Sequence, residues 1–274
     1  MGNVTRWIKQ LVVLVAATGL IGPAATAHTL SVIVTKPYGP TGGKATVYLC
    51  WGHRLPVDEL VDGSTLTSYE IVSPSGTVTK LTPDSGRTLQ AFEFSLTESG
   101  VYQVSVVRTP TVVTMWKDGR GGRGHHIGPK SEVTLPEGGE FTASLRSRQF
   151  AKALAVAGDA QGPAPGPLGL PIELVVVSDL SSLQTGSTIK VQALFNGQPL
   201  ADASITAASA QLNPDGRPEL TIKTNAQGIA EFTPAHAGTW ILGVGQRLPA
   251  PADLQSQFDQ ESYSATLSLG IRED

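Results

Sequence analysis

Residues Pro40-Thr41-Gly42-Gly43-Lys44-Ala45-Thr46-Val47-Tyr48-Leu49-Cys50-Trp51 join a turn signal to a mostly apolar run of eight residues. Short runs of β-branched and aromatic residues between glycine- and proline-rich turns are typical of β-strands. The chain repeats this arrangement along its 274 residues, and its 30 glycines and 19 prolines argue against a helical bundle. The pattern predicts an all-β protein built from antiparallel β-sandwiches.

The predicted strands fall into two groups. Those of the first half span 29–35, 44–51, 68–72, 90–95 and 101–107. Those of the second half span 172–177, 188–195, 204–208, 219–224, 229–233, 239–244 and 262–269. The number and spacing of the second group are those of an immunoglobulin-like or transthyretin-like sandwich.

A segment rich in glycine and proline, residues 158–170, separates the two groups and predicts a linker. We therefore predict an N-terminal β-sandwich over 28–157 and a C-terminal immunoglobulin-like β-sandwich over 171–274 that folds on its own. One stretch departs from the strand pattern. Residues 149–157 are rich in alanine and leucine and precede Gly158, which predicts a helix.

The first 27 residues have the features of an export signal. Arg6 and Lys9 are followed by an apolar run over 11–21, and Ala25-Thr26-Ala27 matches the small-x-small cleavage pattern. The apolar run is too short to span a bilayer comfortably. We expect a soluble, periplasmic mature protein that begins at His28 and has no membrane insertion.

The charge and the cysteine count exclude some classes of protein. A net charge of −3 with no basic block argues against a nucleic-acid partner. The single cysteine, Cys50, cannot form an internal disulfide, and its apolar surroundings favour a buried side chain over a reactive thiol.

Two histidines in the first half are candidate metal ligands. An N-terminal His28 would offer its α-amine and its imidazole to one ion. His53 lies where an apolar run ends and a polar loop begins, and the nearby Asp58 and Glu59 could orient its ring or bind the ion directly. The alternative is that His53 is a solvated loop histidine paired with one of these carboxylates.

Residues 116–126 end in His125 and His126 and contain several glycines, which predicts a mobile loop carrying two further candidate ligands. Basic residues in and after this stretch (Lys117, Arg120, Arg123 and Lys130) would repel a cation, so an anion-binding loop is an alternative. Sequence motifs of metalloproteases, serine hydrolases, phosphate-binding loops and paired-cysteine metal sites are absent, and we predict no enzymatic activity.

Several motifs together resemble a family of exported proteins classed as a domain of unknown function. They are Ala27-His28, the block Trp51-Gly52-His53-Arg54-Leu55-Pro56-Val57-Asp58-Glu59, the stretch 124–130, and the second-half segments 183–186, 196–200, 224–228 and 237–240. Members of that family accompany energy-coupling-factor nickel/cobalt transporters as periplasmic components. The resemblance implies metal capture, with His28, His53 and His125 or His126 at the matching positions.

The sequence thus favours a periplasmic protein that binds nickel or cobalt and supplies a membrane metal-uptake transporter. Imidazoles suit copper and zinc as well, so the identity of the metal stays open. One alternative is a copper-binding protein or copper monooxygenase that uses an N-terminal histidine. Another is an exported adhesion or scaffold module in which the histidines are incidental.

Overall fold

The computed structural model of the protein describes residues 28–213, 215 and 217–274. The predicted export signal, residues 1–27, lies outside these described residues. The described residues form strands and four short 3-10 helices, with no α-helix among them, so the prediction of an all-β fold is confirmed. No described helix is long and apolar enough to cross a membrane.

The strands of the first half follow the predicted runs and add several that were not predicted. They are β1 (Thr29–Val34), β2 (Tyr38–Gly39), β3 (Lys44–Gly52), β4 (Val61–Asp62), β5 (Leu66–Val72), β6 (Val78–Lys80), β7 (Arg87–Thr88), β8 (Ala91–Ser95), β9 (Gly100–Arg108), β10 (Thr111–Lys117), β11 (Arg123–Ile127) and β12 (Glu140–Ala157). The 3-10 helices of this half are Gly63–Thr65 and Lys130–Glu132.

The second half contains all seven predicted strands. Its strands are β13 (Ile172–Val176), β14 (Ile189–Phe195), β15 (Gln198–Pro199), β16 (Ser204–Ser209), β17 (Leu220–Lys223), β18 (Ile229–Phe232), β19 (Gly238–Pro249) and β20 (Gln260–Ile271). The 3-10 helices of this half are Leu180–Ser182 and Ala252–Leu254.

One large sheet runs through both halves of the chain. Its main path is β17-β16-β19-β20-β12-β9-β5-β6, with β2 and β10 paired to β12 and β11 paired to β10. Strand β12 joins the halves, because it pairs with β9 in antiparallel fashion and with β20 in parallel fashion. A three-stranded sheet (β1-β3-β8) and a four-stranded sheet (β13, β14, β15 and β18) complete the two sandwiches.

The two smaller sheets pack against opposite faces of β12. Its residues Ala151, Ala153, Ala155 and Ala157 belong to the core that includes β1 and β3. The alternating residues Phe150, Leu154 and Val156 belong to the core that includes β13, β14 and β18. Since successive side chains of a strand point to opposite faces, one strand contributes to both hydrophobic cores.

The predicted helix over 149–157 is wrong, because these residues are the C-terminal part of β12. A strand buried on both faces lacks the apolar-polar alternation of a half-exposed strand. Strand β12 carries alanines on the face toward the three-stranded sheet and larger residues on the other face. This mixture has the composition of a typical helix. The tertiary pairing with β9 and β20 overrides this local preference.

The predicted mobile loop over 116–126 is also wrong. Strands β10 and β11 form an antiparallel hairpin in which Met115 pairs with His125 and Thr114 with His126. The irregular tip is short, and it is closed by Asp118, whose carboxylate accepts hydrogen bonds from the backbone N–H groups of Arg120 (2.8 Å) and Gly122 (2.7 Å). Both histidines therefore lie on a strand.

The segment between β12 and β13 contains no strand, as expected of a linker, but it is held by a buried ion pair. Lys152 Nζ lies 2.5 Å from Glu173 Oε1, and the two side chains are only 3% and 2% exposed. The Glu173 carboxylate also accepts the backbone N–H groups of Leu168, Gly169 and Leu170. This arrangement fastens the linker, β12 and β13 to one another.

We expect the variant Lys152→Met to lower the free energy of unfolding by about 3 kcal/mol, because it leaves the Glu173 carboxylate buried without its counter-ion. Urea denaturation monitored by tryptophan fluorescence measures this change. The matched control is Lys44→Met, since the ion pair between Lys44 and Glu93 is exposed and contributes little. Equal stability of the two variants would contradict a structural role for the buried pair.

The independence of residues 171–274 remains a prediction, and the position of β12 adds a condition to it. A fragment of residues 140–274 keeps the strand that pairs with β20 and packs Phe150 and Leu154 into the second core. We expect this fragment to have a higher urea midpoint than a fragment of residues 171–274. Indistinguishable midpoints would mean that β12 contributes nothing to the stability of the second half.

Candidate functional site

The pairing of the first strand brings His28 and His53 together. Strands β1 and β3 are antiparallel with Thr29 opposite Gly52 and Leu30 opposite Trp51, so the same register places His28 opposite His53. Directly opposed residues have Cβ atoms about 4.5–5.5 Å apart. The two imidazole rings are accordingly neighbours, with centroids 4.5 Å apart and planes inclined by 42°.

The turn that carries His53 depends on Gly52 and Asp58. Gly52 has a φ of +124°, and a Cβ atom there would lie 2.5 Å from Asp58 Oδ2. The same oxygen accepts the backbone N–H of His53 at 2.8 Å, and this hydrogen bond holds the pKa of Asp58 below its usual value. Asp58 therefore fixes the backbone of His53, whose exposed ring lies beside that of His28.

Glu59 contacts the other histidine. Its Oε1 lies 2.7 Å from His28 Nε2, and its Oε2 lies 3.2 Å from Nη2 of Arg87 in β7. The hydrogen bond with His28 is the main cause of a lowered Glu59 pKa, and Arg87 contributes to it. His28 and Glu59 are 40% and 41% exposed, so the pair lies at the surface.

Trp51 supports the His28 ring from one side. The two rings are stacked, with centroids 5.4 Å apart and an interplanar angle of 16°. The Arg108 guanidinium lies 4.0 Å from the centroid of the Trp51 ring, a cation-π distance, and burial lowers the pKa of Arg108. The His28 carbonyl oxygen accepts a 2.9 Å hydrogen bond from Nε2 of Gln149, which links the site to β12.

Cys50 lies close by in β3 but does not contribute a ligand. Its side chain is buried, and its Sγ donates a hydrogen bond to the Arg54 carbonyl oxygen at 3.2 Å. Burial, and secondly the Asp58 carboxylate, raise the pKa of Cys50 to about 11. Since the thiolate is the metal-binding form, a thiol that stays protonated is a poor ligand.

His125 and His126 lie away from this site. Both are on β11, which pairs only with β10 among the described strands, and His126 Nε2 lies 3.0 Å from Glu132 Oε2. Within the described part of the chain, no contact joins either of them to His28 or His53. The structure therefore brings together two of the four sequence-predicted ligands, and the other two lie on the β10–β11 hairpin.

Three residues of the site carried no recognisable sequence signal. Arg87, Arg108 and Gln149 are 59, 80 and 121 residues from His28 along the chain and belong to no motif. Glu59 belongs to the quoted Trp-Gly-His block, but its partner is His28 and not His53. Only the folding of β1 against β3 shows which histidine it contacts.

The site offers two imidazoles side by side with a carboxylate at its edge. Among the described residues, no group of three or more histidine, cysteine, aspartate or glutamate side chains is arranged to hold a metal ion. Two imidazole nitrogens would therefore need at least one donor from elsewhere, such as the α-amine of a processed chain or a ligand from a partner.

Solved structures that align with most of this chain show only distant similarity. Murine CEACAM1b is 11% identical, with 90% of this chain and all of that chain covered, and a TM-score of 0.22. The elastase-activated alpha-2-macroglobulin of Escherichia coli is also 11% identical, with 90% of this chain and 24% of that one covered, and a TM-score of 0.21. Scores this low carry no functional argument.

No curated protein matches the chain. The profile of a family described as a domain of unknown function, DUF4198, matches residues 25–247. This match includes the His28 and His53 site and most of both sandwiches. The chain therefore belongs to the DUF4198 family.

Proposed function

We propose that this protein binds a divalent transition metal, nickel or cobalt, in the periplasm and supplies it to a membrane metal-uptake transporter. The observation that carries the proposal is the placement of the His28 and His53 rings 4.5 Å apart at the beginning of the first strand. Side-by-side imidazoles are suitable ligands for nickel, cobalt, copper and zinc.

Processing supplies the missing donor in this proposal. Cleavage after Ala27, which the sequence predicts, gives His28 a free α-amine. The amine, the His28 ring and the His53 ring then form a set of three neutral nitrogen donors. Metal binding displaces protons from the amine and from any protonated ring.

The exposure of the site supports transfer to a partner. His28 is 40% exposed and His53 is exposed, so a bound ion stays accessible to ligands of another protein. The family resemblance to periplasmic companions of nickel/cobalt transporters supports the choice of metal and partner.

Glu59 is paired with Arg87, so the site does not carry a large uncompensated negative charge that would attract any cation.

Copper is the second candidate, and the donor set is the observation that favours it. Three nitrogen donors suit the tetragonal geometry of copper(II) as well as nickel(II), and copper binds such sites most tightly. A copper-binding protein or copper monooxygenase would use the same His28 and His53. Native mass spectrometry of the protein purified from the periplasm without chelating resin identifies both the N-terminal residue and the metal.

We expect one extra glycine before His28 to weaken nickel binding at least tenfold, about 1.4 kcal/mol, because an amide replaces the chelating amine. Isothermal titration calorimetry of the mature protein and the extended variant measures the difference. The thermal unfolding midpoints of the two proteins serve as the control for folding. Equal affinities would remove the amine from the site.

The four predicted histidines are expected to separate into two classes. His28→Ala and His53→Ala should each weaken nickel binding at least tenfold, whereas the double variant His125→Ala/His126→Ala should retain the affinity of the parent protein, because those rings lie on a separate hairpin. The same titrations measure all three variants. A double variant that binds as weakly as His28→Ala would place the ion on the hairpin.

A further inference from the structure

The contact between Glu59 and His28 has a consequence for how the His28 ring binds an ion. We infer that Glu59 is a positioning residue that commits His28 to metal coordination through Nδ1. This inference rests on the proposed metal-binding function and concerns the ring nitrogen that the metal uses. Glu59 then holds the His28 ring through a hydrogen bond and does not bind the ion itself.

The hydrogen bond determines which nitrogen carries the ring proton. Glu59 Oε1 lies 2.7 Å from His28 Nε2, and an ionised carboxylate can only accept a hydrogen bond. Nε2 must therefore be the donor. In a neutral imidazole the other nitrogen, Nδ1, then has a free lone pair in the plane of the ring.

Nδ1 is also the nitrogen that can share an ion with the amine of the same residue. A metal bound to the amine and to Nδ1 closes a six-membered ring through Cα, Cβ and Cγ. Nε2 points away from the backbone and cannot close a ring with its own amine. The tautomer that Glu59 selects is thus the one that an N-terminal histidine needs for chelation.

The Glu59 carboxylate is held before any metal binds. The backbone N–H of Glu59 donates a hydrogen bond to the Trp51 carbonyl oxygen at 3.0 Å, and Glu59 Oε2 lies 3.2 Å from Arg87 Nη2. Trp51 in turn stacks against the His28 ring with an angle of 16° between the planes. The carboxylate fixes the edge of the ring and the indole fixes its plane, which lowers the ordering cost of binding.

The competing arrangement places Glu59 in the coordination sphere. An ion between His28 Nε2 and Glu59 Oε1 would use both atoms and would exclude chelation by the His28 amine. The two arrangements differ in their need for the His28 amine, which chelation through Nδ1 requires and an ion between Nε2 and Glu59 Oε1 excludes. This difference can be measured in the intact mature protein.

The first measurement is the tautomer of His28 in the metal-free protein. Long-range proton–nitrogen NMR of histidine-labelled protein at pH 8 is expected to show the proton on Nε2 in the wild type, because the ionised carboxylate can only accept a hydrogen bond. Glu59→Ala is expected to show a mixture of tautomers. The matched control is Glu93→Ala, which removes an exposed carboxylate paired with Lys44. A wild-type ring protonated on Nδ1 overturns the inference.

The second measurement is nickel affinity by calorimetry. Glu59→Ala is expected to bind nickel about tenfold more weakly, in line with the loss of other side chains that hydrogen-bond to metal-bound histidines. If one extra glycine before His28 leaves the nickel affinity unchanged while Glu59→Ala lowers it, the carboxylate binds the ion in place of the amine and the inference is wrong. If the wild type shows the Nε2–H tautomer but binds neither nickel nor copper, the proposed function fails, and the tautomer result stands apart from that failure.

Discussion

The ion pair between Lys152 and Glu173 is buried between β12 and β13, and it holds the linker that connects the two halves of the chain. Burying two charges is costly, and the cost is offset here because the carboxylate also accepts three backbone N–H groups from the linker. Burial lowers the pKa of Lys152, and Glu173 opposes that effect. A linker rich in glycine and proline thereby becomes a fixed connection between β12 and β13.

The same strand connects this constraint to the candidate site. Gln149, three residues before Lys152 on β12, donates a hydrogen bond to the carbonyl oxygen of His28. The strand β1 that follows His28 packs its apolar residues against the alanine face of β12. Strand β12 therefore sets the position of His28. The side chains of His28 and His53 lie next to the buried strand β1 and are accessible to solvent.

The histidine pair depends on strand register. A shift of one residue between β1 and β3 would move His28 away from His53 and would turn the apolar side chains of β1 away from their core. The register is therefore enforced by the burial of residues such as Leu30 and Val32. The strands whose burial holds the fold are therefore the two strands to which His28 and His53 are directly attached.

The sequence by itself determined the all-β class, five strands of the first half, seven of the second, and His28 and His53 as candidate ligands, because local alternation and turn residues report on local structure. Only the tertiary structure decided that residues 149–157 are a strand, that His125 and His126 lie on a separate hairpin, and that Glu59 contacts His28. A strand buried on both faces loses the alternation that identifies it. The contacts of His28 with Glu59, 31 residues away, and with Gln149, 121 residues away, are set by strand pairing and core packing, which no local pattern encodes.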